Sequence, residues 1–132
     1  MFEKFEYKEG QVKRYLDAAF KDYKLASLAP APELSFYACF NVVVKTSIAI
    51  CASNNLRVKS RIGHHIKLIE KLADLLKDEN IEVVANKMRS KRNRDLYTGG
   101  VIISQREVDY YLKFCKSLLE KADDYIFPNK ML

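Results

Sequence analysis

Between Met88 and Gly100 the chain reads MRSKRNRDLYTGG, placing Arg89, Lys91, Arg92 and Arg94 within a few positions of one another. Guanidinium groups grip phosphate or carboxylate through paired N–H donors, so such a run is where an anion would be met. Which of the four meets it depends on direction. On a helical wheel of about 100° per residue, Ile81, Val84, Met88 and Leu96 form one apolar stripe, and Arg92 falls in its middle. Lys87, Lys91 and Arg94 cluster on an outer stripe well away from it. Asn93 and Tyr97 make an i, i+4 row beside Arg92, which Arg89 extends by a turn. An arginine cannot shed its proton, so one facing a core needs a carboxylate, a ring of carbonyls or a groove that holds anions. Three readings stand: an anion-binding or catalytic groove, a structural ion pair, or a helix that frays from the core after Met88 and lets Arg92 snorkel.

Two histidines, His64 and His65, are the other groups suited to proton transfer near neutrality. His65 lies three residues after Ile62 and four before Ile69, at an apolar face, while His64 sits slightly outward. A core or rim position for His65 is expected ahead of a cleft role. Adjacent histidines with no third ligand make no metal site, so neither metal nor cofactor is expected. Cys39, Cys51 and Cys115 all fall in apolar helical patterns and read as small core residues in a reducing cytosol. Glycine-rich phosphate loops, Walker patterns, zinc spacings and nucleophile elbows are absent.

The net charge of +6 and pI near 9.2 point to an anionic partner, nucleic acid first, or else to a margin of solubility. Arg57, Lys59 and Arg61 precede one helical segment, while Lys87, Arg89, Lys91 and Arg94 belong to the next. Converging on one groove, they would form a phosphate track whose affinity falls steeply with salt.

The elements that must position these groups are helical. A chain of 132 residues favours one domain, and its apolar residues recur at helical spacing. A first helix is expected from about Glu9 to Leu28, with Val12, Tyr15, Leu16, Ala19, Tyr23 and Ala26 on one face. PAPE (30–33) opens a second, apolar nearly all round and therefore central. Its stretch 34–53 has transmembrane length, but Asn41 and Lys45 near the middle favour a core helix and no membrane span. SNNLRVKS (53–60) reads as a polar turn. A third helix to about Lys77 should turn Ile62, Ile66, Ile69, Leu72, Ala73 and Leu76 inward, and KDEN (77–80) ends it. The fourth carries Ile81, Val84 and Met88, and TGG (98–100) stops it. SQRE (104–107) is a capping box for a last helix with Val108, Tyr111, Leu112, Cys115, Leu118, Leu119, Ala122 and Ile126 inward. Short turns between such helices imply antiparallel neighbours in a bundle.

RNRDLY near the end of a bundle helix, preceded by SFYACFNVVVKTSIAI and SRIGHHIKLIEKL in that order, resembles the HEPN (higher eukaryotes and prokaryotes nucleotide-binding) superfamily. The likeness runs from about Glu9 to Ile126. It implies an all-α, up-and-down bundle of four to five helices, one HEPN-like domain over 1–132, commonly a homodimer whose motif helices line a shared cleft. Many members are metal-independent endoribonucleases, often cytoplasmic toxins paired with a nucleotidyltransferase antitoxin. Their motif is arginine, a polar residue, then histidine four to six positions beyond the arginine. Arg92 and Asn93 match the first two, whereas Tyr97 stands where histidine is expected. Arg92 would supply the cation for a phosphorane and Asn93 would orient a phosphate oxygen. Tyrosine, with a pKa near ~10, is a poor base, leaving Tyr97 to donate a hydrogen bond, act as a weak acid or stack on a base. In some members a motif tyrosine is modified by the partner nucleotidyltransferase, and the resemblance offers Tyr97 as a counterpart. The resemblance implies RNA binding or processing through Arg92, Asn93 and Tyr97. The alternatives are an inactive HEPN module that binds nucleotide or partners a nucleotidyltransferase, and a structural dimer with a solvated basic helix.

Overall fold

A helix that is apolar on every side is stable only when other elements surround it, and the chain between Pro32 and Ser53 is such a helix. The computed structural model describes residues 2–59, 64–96 and 98–129, Leu96 by its backbone alone. Within them five helices occur in order, α1 (Gln11–Leu28), α2 (Pro32–Ser53), α3 (His64–Leu76), α4 (Glu79–Leu96) and α5 (Gln105–Ile126). The central one is α2, packed against α1, α3 and α5 and more lightly against α4. Phe36, Cys39, Phe40, Val42, Val43, Ala49 and Ile50 of α2 are each at most 1% exposed. Burying a side chain as large as Phe36 or Phe40 contributes about 1.5–3 kcal/mol. Pro32 starts α2 at a position where its missing N–H costs nothing, and Glu33 stands in the same turn.

By length and mean hydropathy α2 could cross a bilayer, yet most of it is buried by its neighbours. Lys45 in its middle is accounted for by Asp22 of α1, whose Oδ2 lies 2.6 Å from the lysine Nζ. On α1, Leu16, Ala19 and Ala26 are buried and Tyr15 and Tyr23 pack against the same core. On α5 the expected stripe is present, with Val108, Tyr111, Cys115, Leu118, Leu119 and Ala122 buried. Its start is a complete capping box: Ser104 Oγ accepts from the Glu107 N–H at 3.1 Å, and Glu107 Oε1 accepts from the Ser104 N–H at 3.3 Å. All three cysteines are buried free thiols.

Two expectations are corrected. The segment 53–60 is not only a turn, because Leu56–Val58 forms a strand, β2, antiparallel to β1 (Phe2–Lys4). Asn55 makes the reversal after α2 at φ 58°, a left-handed conformation asparagine tolerates better than most residues. Glu3 faces Arg57 across the ribbon and forms an ion pair with it, and the Arg57 guanidinium lies 4.2 Å from the Phe5 ring centroid. Arg57 is therefore engaged within the ribbon. On α3, Leu68, Ile69, Leu72 and Ala73 are buried but Ile66 is 37% exposed. Only one of two neighbouring residues can face α2 from that first turn, and His65 does so, against Phe40. Ile62 lies outside the described residues.

The stop after α4 is a close approach between loop and helix. Gly100, at φ 120°, donates its N–H to the Asp95 carbonyl at 3.0 Å, and a Cβ there would come within 2.9 Å of Glu33 Oε1. The Glu33 carboxylate can swing aside, so it is the positive φ that calls for glycine here. The architecture is all-α and bundle-like, with a small two-stranded ribbon beside it.

Candidate functional site

Ile81, Val84, Ala85 and Met88 bury one stripe of α4 against the core. Acidic Glu79 and Glu82 in its first turn and Arg94 in its last match the helix dipole. Asp78 accepts from the Asn80 N–H at 3.0 Å at its start. This stripe fixes where Arg92 points. One turn beyond Met88, the partly buried Arg92 has its guanidinium carbon 5.3 Å from the centroid of the Phe40 ring. A cation this close to an aromatic face is attracted by the ring quadrupole while its N–H groups stay available at the edge. The helix does not fray at Met88; it continues to Leu96.

The same ring receives a second group. His65 of α3 packs edge-on against Phe40 with ring centroids 5.4 Å apart, and His64 meets His65 edge-on at 4.3 Å. Burial pushes the His65 pKa below its ordinary value, and the nearby charges of His64, Arg92 and Arg89 push it further the same way. At neutral pH its imidazole is therefore uncharged and able to accept a proton. Arg89 holds its place through Nε, which donates to Asn86 Oδ1 at 3.2 Å. Asn93 is exposed and accepts from Arg92 Nη1 at 3.4 Å. Arg92 and His65 thus meet the buried Phe40, with Asn93 beside Arg92, His64 against His65, and Arg89 near enough for its charge to act on His65. Tyr97 and Arg61 lie outside the described residues.

The remaining basic residues go elsewhere. Arg92 and Lys87 are five positions apart, about 140° around the helix at ~100° per residue. Lys87, Lys91 and Arg94 line a separate open groove of about 530 Å³ with Val83, Asn86 and Ser90 of α4 and Glu107 and Tyr111 of α5. Lys91 corrects the expectation of a solvated outer charge, since its side chain is only 15% exposed. Asp95 explains this: Oδ2 lies 3.4 Å from Lys91 Nζ, while Oδ1 accepts from Arg94 Nε at 3.1 Å. The Arg94 hydrogen bond, helped by the Lys91 charge, holds the Asp95 carboxyl below the usual carboxylate range. Lys59 is exposed just past β2, a few residues before His64 and not among the residues lining the groove. Among the described residues, the basic side chains of α4 therefore divide between its two flanks.

Comparison with known proteins places the chain in no family: no protein-family model, no curated protein and no solved structure matches it. The site must be read from its own geometry. Among the described residues no three His, Cys, Asp or Glu side chains gather as metal ligands do. What the arrangement offers is two guanidinium groups and a neutral imidazole around an apolar floor. Nothing in the sequence singles out Phe40, because α2 is apolar all round and has no preferred face. The approach of His65 to Arg92 depends on how α3 and α4 cross, which spacing within one helix does not carry. Asp95 did have a local signal, lying four residues after Lys91.

Proposed function

We propose that the protein is a HEPN-like RNA-binding and RNA-processing domain whose reacting phosphodiester sits against Arg92 on the α3 flank of α4. The observation carrying this reading is that His65 and Arg92 meet the same Phe40 ring. Tyr97 stands where the histidine is expected, and in this reading the imidazole of His65, which shares the Phe40 ring with Arg92, takes over its role. In this reaction the neutral His65 accepts the 2′-hydroxyl proton as that oxygen bonds to phosphorus. Arg92 and Arg89 stabilise the added negative charge on the phosphorane. The P–O5′ bond then breaks, leaving a cyclic 2′,3′-phosphate, and the departing oxygen takes a proton from solvent or from the imidazolium. Asn93, already bonded to Arg92, keeps the guanidinium oriented. A homodimer and a nucleotidyltransferase partner belong to this proposal through the family resemblance alone.

A second reading, a catalytically inactive module that binds nucleotide or partners a nucleotidyltransferase, is favoured by Tyr97 itself. The two separate in one experiment, in which the purified protein is incubated with single-stranded RNA in chelator and products are resolved on a gel. Cleavage in the wild type, lost by about 10²–10³-fold in Arg92→Gln and by at least about 10²-fold in His65→Ala, supports the first. Binding without cleavage supports the second. No binding and no cleavage of any RNA sinks the proposal.

A further inference from the structure

The α5 flank of α4 carries a site that the reaction chemistry leaves unused. Lys87, Lys91 and Arg94 line one wall of the 530 Å³ groove, and Tyr111 lies on the other. Asp95 clamps Lys91 and Arg94, so both cations are held at the groove before any ligand arrives. Arg94 spends only Nε on that clamp and its side chain stays 67% exposed, leaving the terminal nitrogens to reach an anion. Glu107, the one acidic residue lining the groove among the described residues, has Oε1 turned to the Ser104 hydroxyl and N–H. Next to Tyr111 stands Tyr110, 53% exposed, its ring edge-on to that of Tyr111 at 5.4 Å. An exposed tyrosine beside a basic groove is the combination that binds unpaired nucleotides, phosphates on the cations and a base on the ring.

We infer that this α4–α5 groove is a second RNA subsite that holds the single-stranded flank of the strand whose reacting phosphate lies at Arg92. The inference rests on the proposed RNA-processing function and names its substrate class, single-stranded RNA that crosses α4. A helix with its side chains is about 10–12 Å across, a span that a few unstacked nucleotides bridge. A duplex offers no free base face to Tyr110, and an acidic peptide offers none either.

The test measures binding of fluorescein-labelled oligouridylate across a salt series by anisotropy, for the wild type, Lys87→Gln/Arg94→Gln, Tyr110→Leu and Arg92→Gln. Single strands give a log–log salt slope of about −0.7 per phosphate contact. The double variant should therefore flatten the slope by about 1.4, and Arg92→Gln by about 0.7. Tyr110→Leu should weaken binding about tenfold with the slope kept. All substituted groove residues are exposed, and circular dichroism checks that the variants keep their helix content. A wild type that binds RNA while the double variant keeps its full slope overturns the groove subsite and leaves the Arg92 reading intact. Equal affinity for duplex RNA, with Tyr110→Leu indifferent, overturns the single-strand assignment. A wild type that binds no RNA overturns the function and the subsite together, whereas loss of slope in Arg92→Gln alone retains only the function.

Discussion

The two flanks of α4 carry the same kind of charge and treat it in opposite ways. On the α3 flank, Arg92 rests against an aromatic ring and Arg89 against an amide oxygen, contacts that, among the described residues, bring no carboxylate to either charge. On the α5 flank, Lys91 and Arg94 share one carboxylate, Asp95, which neutralises part of their charge and fixes their position. An uncompensated guanidinium in a partly buried place is strongly receptive to an anion, because little screening separates the two. A pair already answered by a carboxylate attracts less strongly but costs little to keep ordered. The first arrangement suits transition-state charge, and the second suits holding a strand in place.

The largest test of this difference is Phe40→Ala. Phe40 is 1% exposed and is at once core residue, floor for Arg92 and wall for His65. Its truncation should cost about 3–5 kcal/mol of stability, read as a shift in urea midpoint. Phe40→Leu keeps an apolar side chain but has no ring face. It should retain the helical fold while RNA cleavage falls, and groove binding at Lys87 and Arg94 should persist. If both flanks fail together in Phe40→Leu, they are one site and the distinction is wrong.

Phe40 also shows where the sequence stops being informative. The helices themselves were legible, since the α5 stripe and the Ser104–Glu107 capping box follow from spacing and residue type, and the structure has both. The direction of Arg92 was legible for the same reason: a helical period places it one turn beyond Met88. What Arg92 meets was not, because every side of α2 is apolar and any of its residues could face α4. The ribbon was missed because three-residue strands are too short to display alternation, and the Glu3–Arg57 pair joins residues far apart in the chain. The wheel alone puts Lys91 on a solvated outer stripe, and it is Asp95, one turn on, that draws the side chain down.

A smaller effect separates the flanks by pH. His65 has a depressed pKa, so the folded protein binds its proton less readily than the unfolded chain does. That favours unfolding as pH falls, and the loss of stability sets in just below the ordinary histidine value of ~6.5, ending at the lower folded pKa. Its slope should lie well under the ~1.4 kcal/mol per pH unit that one fully linked proton gives, because the ring is only partly buried. Asp95 is also depressed, but its stabilising contribution is present above the ordinary carboxylate value near ~3.9 and is lost only as pH falls through its folded pKa. Urea midpoints measured from pH 7.5 downward should therefore show an early step removed by His65→Gln and a later one diminished by Asp95→Asn. Cleavage should rise with pH through the His65 pKa and be level by neutrality, since the imidazole acts in its neutral form.

The smallest expected effect is that of Lys59→Gln. Lys59 is exposed at the end of the ribbon, where its neighbour Arg57 is already committed to Glu3 and Phe5. A solvated lysine with no held geometry loses much of its electrostatic gain to side-chain entropy and salt. Stability should move by no more than about 0.5 kcal/mol, and the salt slope of RNA binding should stay within error of wild type. Arg94→Gln, measured alongside, should flatten that slope by about 0.7, because Asp95 has already ordered the side chain it removes. The comparison matters because both residues are exposed cations on a basic protein, and net charge alone would give them equal weight. A Lys59→Gln slope change as large as that of Arg94→Gln would mean that RNA is attracted by the charge of the whole surface. A null result beside a clear Arg94 effect would mean that phosphate is met at the groove and not wherever the surface carries an exposed cation, which is what the assignment of a groove subsite requires.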